Sequence, residues 1–269
     1  MSLCISCDKE IQLPDEWLLG LYNVKRLTLS RCWPHGLKSL GFQRLKVLRV
    51  YHSPCSTLFT FSVFRSLQLL QELEVSRSDF LEEIVEDCHL PALEHVAVHK
   101  CGVSTLFNCS VFIKLQQLNY LYVLDCKLLK VIVEDERDDE TSCTNYKIIT
   151  FMPLTSISLA NLPNLKSFSS TSSYAFNMPK LSTFWLFCCP QIEYFTFLKT
   201  STKEIDIYTK TNRMEKFQDL NDYVRLNCKT ASSLADIAGE SSHGNKELET
   251  ESGRVGDEKH QETTENDQP

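Results

Sequence analysis

Eight copies of one nine-residue phrase make up much of this sequence and constrain its fold more than any other feature. The phrase has an apolar residue, two variable residues, then apolar, variable, apolar and two variable residues before a ninth position that is often Cys; the last copy is degraded and begins with Thr. The steps between copies are 21, 25, 23, 25, 36, 27 and 21 residues. Units of this size cannot bury their apolar residues alone, so they must stack on one another. The copies start at Val24, Leu45, Leu70, Leu93, Leu118, Leu154, Leu181 and Thr202.

Each phrase has the alternation of a half-buried strand. In the copy L-N-Y-L-Y-V-L-D-C, Leu121 and Val123 alternate with Tyr120 and Tyr122, which places the aliphatic pair toward a core and the tyrosines toward solvent. The period and consensus are those of leucine-rich repeats. The predicted fold is therefore an α/β leucine-rich-repeat solenoid, or horseshoe, with a curved parallel β-sheet on the concave face. Its convex segments are predicted to be mostly irregular or short helical.

A second apolar pair follows several of the phrases and is predicted to cross back over the core and close each coil. Burial of several such side chains in every coil, at about 1.5–3 kcal/mol each, offsets the entropy of ordering a continuous array. The pairs are Leu81 and Ile84, Leu129 and Ile132, Leu165 and Phe168, and Ile192 and Phe195.

The repeats predict an array of about eight coils over residues 1–212. Leu3 and Ile5 lie 24 residues before Leu27 and Leu29, so the chain is expected to begin within a truncated repeat. Because solenoids need polar caps at their ends, this start favours a chain that is the distal part of a longer array.

A short capping helix is predicted over residues 213–228, where Phe217, Leu220 and Val224 fall at i, i+3 and i+7. Residues 229–269 carry ten acids and four bases. This acidic tail has too few apolar residues to bury, so it is predicted to be disordered.

Charge outside the tail is nearly balanced. The net charge of −7 includes −6 from the tail, which leaves −1 for the first 228 residues. No broad cationic surface is expected, so we predict no nonspecific binding to nucleic acid, and no apolar run is long enough for membrane insertion. A monomer in the cytoplasm is predicted, with the nucleus as the alternative. Residues 134–147 are interpreted as a solvated acidic loop, with an acidic docking loop as the alternative.

Twelve cysteines raise the alternatives of disulfides and metal. Cys32, Cys101, Cys126 and Cys189 share the ninth position of the phrase. There a small buried side chain can hydrogen-bond the exposed backbone of the neighbouring coil, so these thiols are predicted to be reduced and structural. The lone C-x-x-C of Cys4–Cys7 lacks a second pair at zinc-finger spacing, and no metal site is assigned to it.

No pattern of catalytic residues emerges. Gly36 and Gly41 have phosphate-loop spacing, but Phe42 and Gln43 follow in place of Lys and Ser or Thr. No nucleophile elbow is present. His95 and His99 are four residues apart on a predicted strand, or about 13 Å, which is too far for them to share one metal ion. We therefore predict no enzymatic activity, no cofactor and no metal.

The concave face is the predicted binding surface. The third, fifth, seventh and eighth residues of each phrase should project into solvent, and exposed aromatic and arginine side chains dominate protein interfaces. The aromatic residues are predicted anchors and the arginines steering charges. The candidate protein-binding residues are Arg26, Arg31, Arg49, Tyr51, His52, Arg77, His99, Lys100, Tyr120, Tyr122, Trp185, Phe187 and Tyr208.

The sequence also resembles one known family over roughly residues 13–210. The segments L-P-D-E-W-L-L-G-L-Y-N-V-K-R-L-T-L-S-R-C, K-L-L-K-V-I-V-E and F-M-P-L-T-S-I-S-L-A-N-L-P-N-L-K-S-F carry the resemblance, together with the Cys188–Cys189–Pro190 turn. They are similar to the C-terminal repeats of plant intracellular nucleotide-binding leucine-rich-repeat (NLR) disease-resistance proteins of the coiled-coil class. The nucleotide-binding domain and the coiled-coil segment of that class are absent from this sequence.

The resemblance implies a sensor or autoinhibitory module of plant defence that acts by protein–protein binding. Its partner would be a pathogen effector, a guarded host protein, or the nucleotide-binding domain of a related receptor. Two alternatives stay open: a substrate-receptor subunit of a ubiquitin ligase, and a non-functional or decoy fragment of a receptor.

Overall fold

A computed structural model describes most of the repeat array. The described residues are 1–6, 23–31, 42–59, 67–85, 90–135, 147–171, 173–196, 201–202, 205–208, 214–217 and 219–227. Cys7, Cys32, the sequence 136–146 and the tail 229–269 lie outside them, as do the predictions made there.

Within these residues the chain forms eighteen short strands and two helices. The strands are β1 (Ser2–Ser6), β2 (Arg26–Ser30), β3 (Val47–Tyr51), β4 (Thr57–Phe59), β5 (Glu72–Ser78), β6 (Glu83–Val85), β7 (His95–Cys101), β8 (Thr105–Asn108), β9 (Tyr120–Leu124), β10 (Val131–Glu134), β11 (Lys147–Thr150), β12 (Ser156–Ala160), β13 (Ser167–Ser169), β14 (Tyr174–Met178), β15 (Thr183–Phe187), β16 (Ser201–Thr202), β17 (Ile205–Tyr208) and β18 (Met214–Phe217). The helices are α1 (Cys109–Phe112) and α2 (Leu220–Asn227).

One ten-stranded sheet contains every copy of the phrase, in the order β1-β2-β3-β5-β7-β9-β12-β15-β17-β18. All neighbours pair in parallel except β17 and β18. This confirms the predicted leucine-rich-repeat solenoid with a parallel sheet. The start of the chain also pairs as expected, because Leu3 and Ile5 lie opposite Leu27 and Leu29.

The sixth position of the phrase stays in register across the sheet, although the copies are unevenly spaced. Successive pairs join Leu29, Val50, Val75, Val98, Val123, Leu159 and Leu186. These side chains belong to one buried core. Differences in copy length are therefore absorbed outside the main sheet.

The second apolar pairs close the coils as predicted, and all eight side chains are buried. Their backbone differs from the prediction, because the described convex segments contain short parallel strands more than helices. These strands form the small sheets β4-β6, β13-β10-β8 and β11-β14-β16. Runs such as Val131–Ile132–Val133 favour strands because β-branched side chains fit a pleated surface.

The C-terminal end of the array also differs in part from the prediction. Phe217 belongs to β18, which pairs antiparallel with β17, so the helix begins only at Leu220. Within α2, Leu220 and Val224 are buried as the helical spacing requires. The side-chain oxygen of Asn221 accepts hydrogen bonds from the backbone N–H groups of Phe195 and Thr196 at 2.7 and 3.1 Å. The helix thereby satisfies donors that the last closing segment would otherwise leave unpaired.

Candidate protein-binding face

The concave face is defined here as the side of the main sheet that carries the third, fifth and seventh positions of the phrase. The fourth and sixth positions point into the core, so strand alternation turns the other three toward solvent. Trp185, Phe187 and Tyr122 are 53%, 39% and 36% exposed, which is unusual for large apolar side chains. Arg26 and Arg49 are also exposed on this face.

The aromatic residues fall into two groups on either side of β12. Tyr120 and Tyr122 lie on β9, and Trp185 and Phe187 lie on β15. The rings of Tyr120 and Tyr122 are nearly parallel, with centroids 6.1 Å apart. His95, on β7, stacks on Tyr120 at 4.7 Å. Tyr208 lies on β17, where the structure describes only its backbone.

Sequence reasoning missed the residues between these groups. β12 contributes Ser156, Ser158 and Ala160 at the third, fifth and seventh positions, and all three are buried among their larger neighbours. We call these residues and the aromatic groups beside them the trough. Comparing the same position in consecutive copies of the phrase would have revealed the alternation of large and small side chains.

The concave face of the early coils carries acids as well as the predicted arginines, because Glu72 and Glu74 also lie on it. Arg49 forms an ion pair with Glu74 at 3.0 Å, and the hydroxyl of Tyr51 donates a hydrogen bond to the same carboxylate at 2.8 Å. Partial burial and this hydrogen bond raise the pKa of Tyr51. The arginine predicted to act as a free steering charge is therefore neutralised in part.

The eighth position of the phrase adopts a left-handed backbone in seven consecutive copies. The residues with φ between 50° and 56° are Arg31, His52, Arg77, Lys100, Asp125, Asn161 and Cys188. Their N–H groups continue the ladder; for example, the N–H of Asp125 donates to the carbonyl of Ala160 at 2.9 Å. The candidates Arg31, His52, Arg77 and Lys100 therefore lie at the rim where each strand ends, and all four are exposed.

A polar chain crosses this rim. Nε2 of His99 lies 2.8 Å from Oδ2 of Asp125, whose Oδ1 accepts a hydrogen bond from Asn161 at 2.8 Å. Oγ of Ser76 lies 3.5 Å from Nδ1 of His99. The hydrogen bonds from Asn161 and His99 lower the pKa of Asp125. Ser76 and His99 lie on β5 and β7, and Asp125 and Asn161 directly follow β9 and β12, so the polar chain connects four neighbouring coils.

The left-handed residue is followed by the ninth position, where Cys101 and Cys189 are buried and meet backbone carbonyls of the neighbouring copy, whereas Cys126 meets the carbonyl of Leu124 in its own copy. Sγ of Cys101 lies 3.7 Å from the carbonyl oxygen of Val75, and Sγ of Cys189 lies 3.8 Å from that of Leu159, each on the preceding copy. A hydrogen bond with Cys126, together with burial, raises the pKa of the Cys101 thiol, which keeps it protonated. Among the described residues, no group of three or more His, Cys, Asp or Glu is arranged to hold a metal ion.

Comparison with known proteins finds one family that matches part of the repeat array. Residues 86–203 match the family model of plant disease resistance protein RPS2-like leucine-rich repeats. These residues are similar to the leucine-rich repeats of that family. No curated protein and no solved structure matches the chain. In the part of the chain that the structure describes, neither helix has the length and apolar character needed to cross a membrane.

The matched region contains the whole trough, from Tyr120 to Phe187. The candidates on the earlier strands, including Arg26, Arg49 and Arg77, precede the matched region, which is also shorter than the resemblance over residues 13–210. The exposed aromatic side chains Tyr122, Trp185 and Phe187 thus lie within the part of the chain that matches the family.

Proposed function

We propose that this chain is a non-enzymatic protein-recognition module of plant defence and that it binds its partner through the concave face. The repeats supply a rigid parallel sheet, and the third, fifth and seventh positions of the phrase supply the side chains that a partner meets. In this proposal the core and rim residues hold the backbone, whereas the concave side chains determine which protein is bound.

The exposure of Trp185, Phe187 and Tyr122 carries the proposal. Exposed aromatic side chains are costly in water, and Trp and Tyr are enriched among the residues that dominate interface energies. The three lie within three adjacent strands of one rigid sheet. A protein partner that covered them would bury their apolar surface without any rearrangement of the backbone.

We further propose that the partner is a pathogen effector, a guarded host protein, or the nucleotide-binding domain of a related receptor. The similarity to resistance-type repeats supports all three. The module would act in the cytoplasm or the nucleus as a monomer, since each of these partners is a different protein and none requires a second copy of this chain.

The test is capture of proteins by the purified full chain, from plant extract and from a purified nucleotide-binding portion of a related receptor. Trp185→Ala should weaken binding by about 2 kcal/mol or more, chiefly through faster dissociation. Phe80→Ala is the matched control, because Phe80 is 75% exposed but follows β5 at a turn away from the concave face. If binding survived alanine at Trp185, Tyr120 and Tyr122 together but was lost on changes in the convex loops, the interface would lie on the convex side and the proposal would be overturned.

The same experiment separates the alternatives. Capture of a ubiquitin-ligase adaptor through the repeats would favour the hypothesis of a substrate receptor over that of an immune sensor. A decoy fragment would show no partner whose binding depends on Trp185, even though the chain folds. Folding of each variant is checked by its circular dichroism and its thermal midpoint before binding is compared.

A further inference from the structure

The trough contains a narrow slot in the middle row of its side chains. Ser158 pairs directly with Tyr122 on one side and with Trp185 on the other. Because neighbouring strands lie about 4.8 Å apart, the backbones that carry the two aromatic residues are roughly 10 Å apart, with only a serine between them. The slot is the space above Ser158 between these two side chains.

The ring of Tyr122 faces into this slot. His95 and Tyr120 stack across neighbouring strands with an angle of 13° between their planes, so the face of Tyr120 is turned along the stacking direction of the coils. The ring of Tyr122 is tilted only 11° from that of Tyr120. Its face is therefore turned the same way, toward Ser158 and Trp185.

The floor of the trough carries hydroxyl groups that have no partner. Ser158 and Ser156 are each only 6% exposed, and neither side chain makes a hydrogen bond in the described part of the chain. The only fully buried, unpartnered side-chain polar atom among the described residues is Nδ1 of His95. The hydroxyl oxygens of Ser156 and Ser158 are therefore not fully buried, and that of Ser158 faces the slot. A hydroxyl without a protein partner favours a ligand that can hydrogen-bond to it.

The aromatic side chains beside the slot favour a cation. Asp125 is the only charged residue among the concave and rim positions of β9, β12 and β15 that the structure describes. Asp125 lies at the rim, three residues after Tyr122, and its two carboxylate oxygens contact His99 and Asn161, so the preference for a cation rests on the aromatic side chains. Aromatic faces attract cations within about 6 Å of the ring centroid, and a group above Ser158 lies between the two strands that carry Tyr122 and Trp185.

We propose that the slot between Tyr122 and Trp185 binds the guanidinium group of an arginine side chain presented by the protein partner. The proposal rests on the proposed function, because it names the chemistry of the partner at the same face. A guanidinium is planar and donates several hydrogen bonds, so it can stack on both walls and donate to the hydroxyl of Ser158. A lysine ammonium carries the charge but lacks the flat surface.

The experiment uses the full chain with 15N-labelled tryptophan and follows the indole signal of Trp185, assigned by its loss in Trp185→Phe. The probe is an acetylated, amidated Gly-Gly-Arg-Gly-Gly peptide, and the comparison peptides carry citrulline, lysine or phenylalanine in place of arginine. Citrulline keeps the planar shape and loses the charge. The arginine peptide should shift the Trp185 signal saturably in the millimolar range, and the other three should bind several-fold more weakly.

Substitutions in the slot provide the controls. Ser158→Leu fills the slot and should abolish the shift, whereas Ser158→Ala should weaken binding about two- to tenfold through loss of the hydrogen bond. Thr28→Leu is the matched control, because Thr28 occupies the same position of the phrase on β2. Tyr122→Leu removes one wall while keeping the reporter, and it should weaken binding if Ser158→Leu fails to fold.

The outcomes separate this proposal from the proposed function. Citrulline, lysine or phenylalanine peptides that bind as well as arginine would overturn the assignment to a planar cation. An unmoved Trp185 signal, or binding that persists in Ser158→Leu, would overturn the slot itself. Either result would leave protein capture through Trp185 intact. Loss of protein capture with retained arginine binding would instead overturn the proposed function alone.

Discussion

Nε of Arg49 lies 3.0 Å from a carboxylate oxygen of Glu74, directly opposite it on the neighbouring strand. The other oxygen accepts the hydrogen bond from Tyr51. The pair therefore joins two neighbouring coils on the concave face, and its side chains are 49% and 36% exposed to water. Exposed pairs of this kind contribute little, because solvent screens the attraction and two long side chains lose conformational freedom.

We expect a double-mutant cycle with Arg49→Ala and Glu74→Ala to give a coupling free energy of about 0.2–1 kcal/mol in urea unfolding. The coupling should shrink when the salt concentration is raised, since exposed charges are screened. A coupling well above this range, or one insensitive to salt, would show that the pair is more strongly shielded than its exposure indicates.

A cluster of phenylalanine rings should dominate the stability of the later coils. Phe112, on α1, is fully buried, and ring contacts at 4.8 to 5.8 Å join it to Phe107, Phe151, Phe168 and Phe176. Phe112→Ala should lower the free energy of unfolding by about 3–5 kcal/mol, because it removes buried surface and leaves a cavity. The exposed Phe80 provides the control, and Phe80→Ala should change stability by less than about 0.5 kcal/mol. Equal effects from the two variants in urea unfolding would contradict the packing described here.

Arg77 lies at the left-handed rim with φ of 54°, so substitutions there should change the backbone strain. A β-branched residue tolerates this conformation poorly, so Arg77→Val should lower stability by about 1–2 kcal/mol. Arg77→Gly should be neutral or slightly stabilising, because glycine adopts positive φ readily. Thermal unfolding of the two variants measures the difference. If valine were tolerated as well as glycine, the rim backbone would have to relax at little cost.

Stability should depend on pH through Asp125, whose pKa is lowered by Asn161 and His99. A carboxylate with a folded-state pKa below its unfolded value stabilises the fold above about pH 4, and that contribution is lost as the pH falls through the folded-state pKa. Asp125→Asn should therefore be less stable than the unsubstituted chain at neutral pH, with a gap that closes in acid. Asp79→Asn is the control, since Asp79 is an exposed aspartate without a side-chain hydrogen bond in the described part. A gap that stayed constant from neutral pH to pH 3 would contradict the linkage.

The repeat pattern predicts the main sheet well because each strand is specified locally. Leu121 and Val123 need only alternate with polar or exposed residues to define a buried face, and the truncated strand at Leu3 and Ile5 follows from the same spacing. Helical spacing was less reliable at Phe217. A single apolar residue before a helix fits a strand equally well, and here pairing with β17 decides in favour of the strand.

The binding face was harder to predict, because it depends on relations between copies. Tyr122 and Trp185 are recognisable in sequence as outward residues, but the slot exists only because Ser158 lies between them in space. The partner of Arg49 is likewise 25 residues away in sequence. The left-handed rim has no single residue signature either, since Arg, His, Lys, Asp, Asn and Cys all occupy it.

The alignment of the sixth position across copies of unequal length also bears on how such a chain can change. A 36-residue step and a 27-residue step deliver their strands to the sheet in the same register, so an insertion on the convex side leaves the concave side chains where they were. Conversely, a serine and a tryptophan can occupy equivalent concave positions without moving the backbone. Insertions thus change the convex side and substitutions change the concave side, so either side can diversify while the other keeps its structure.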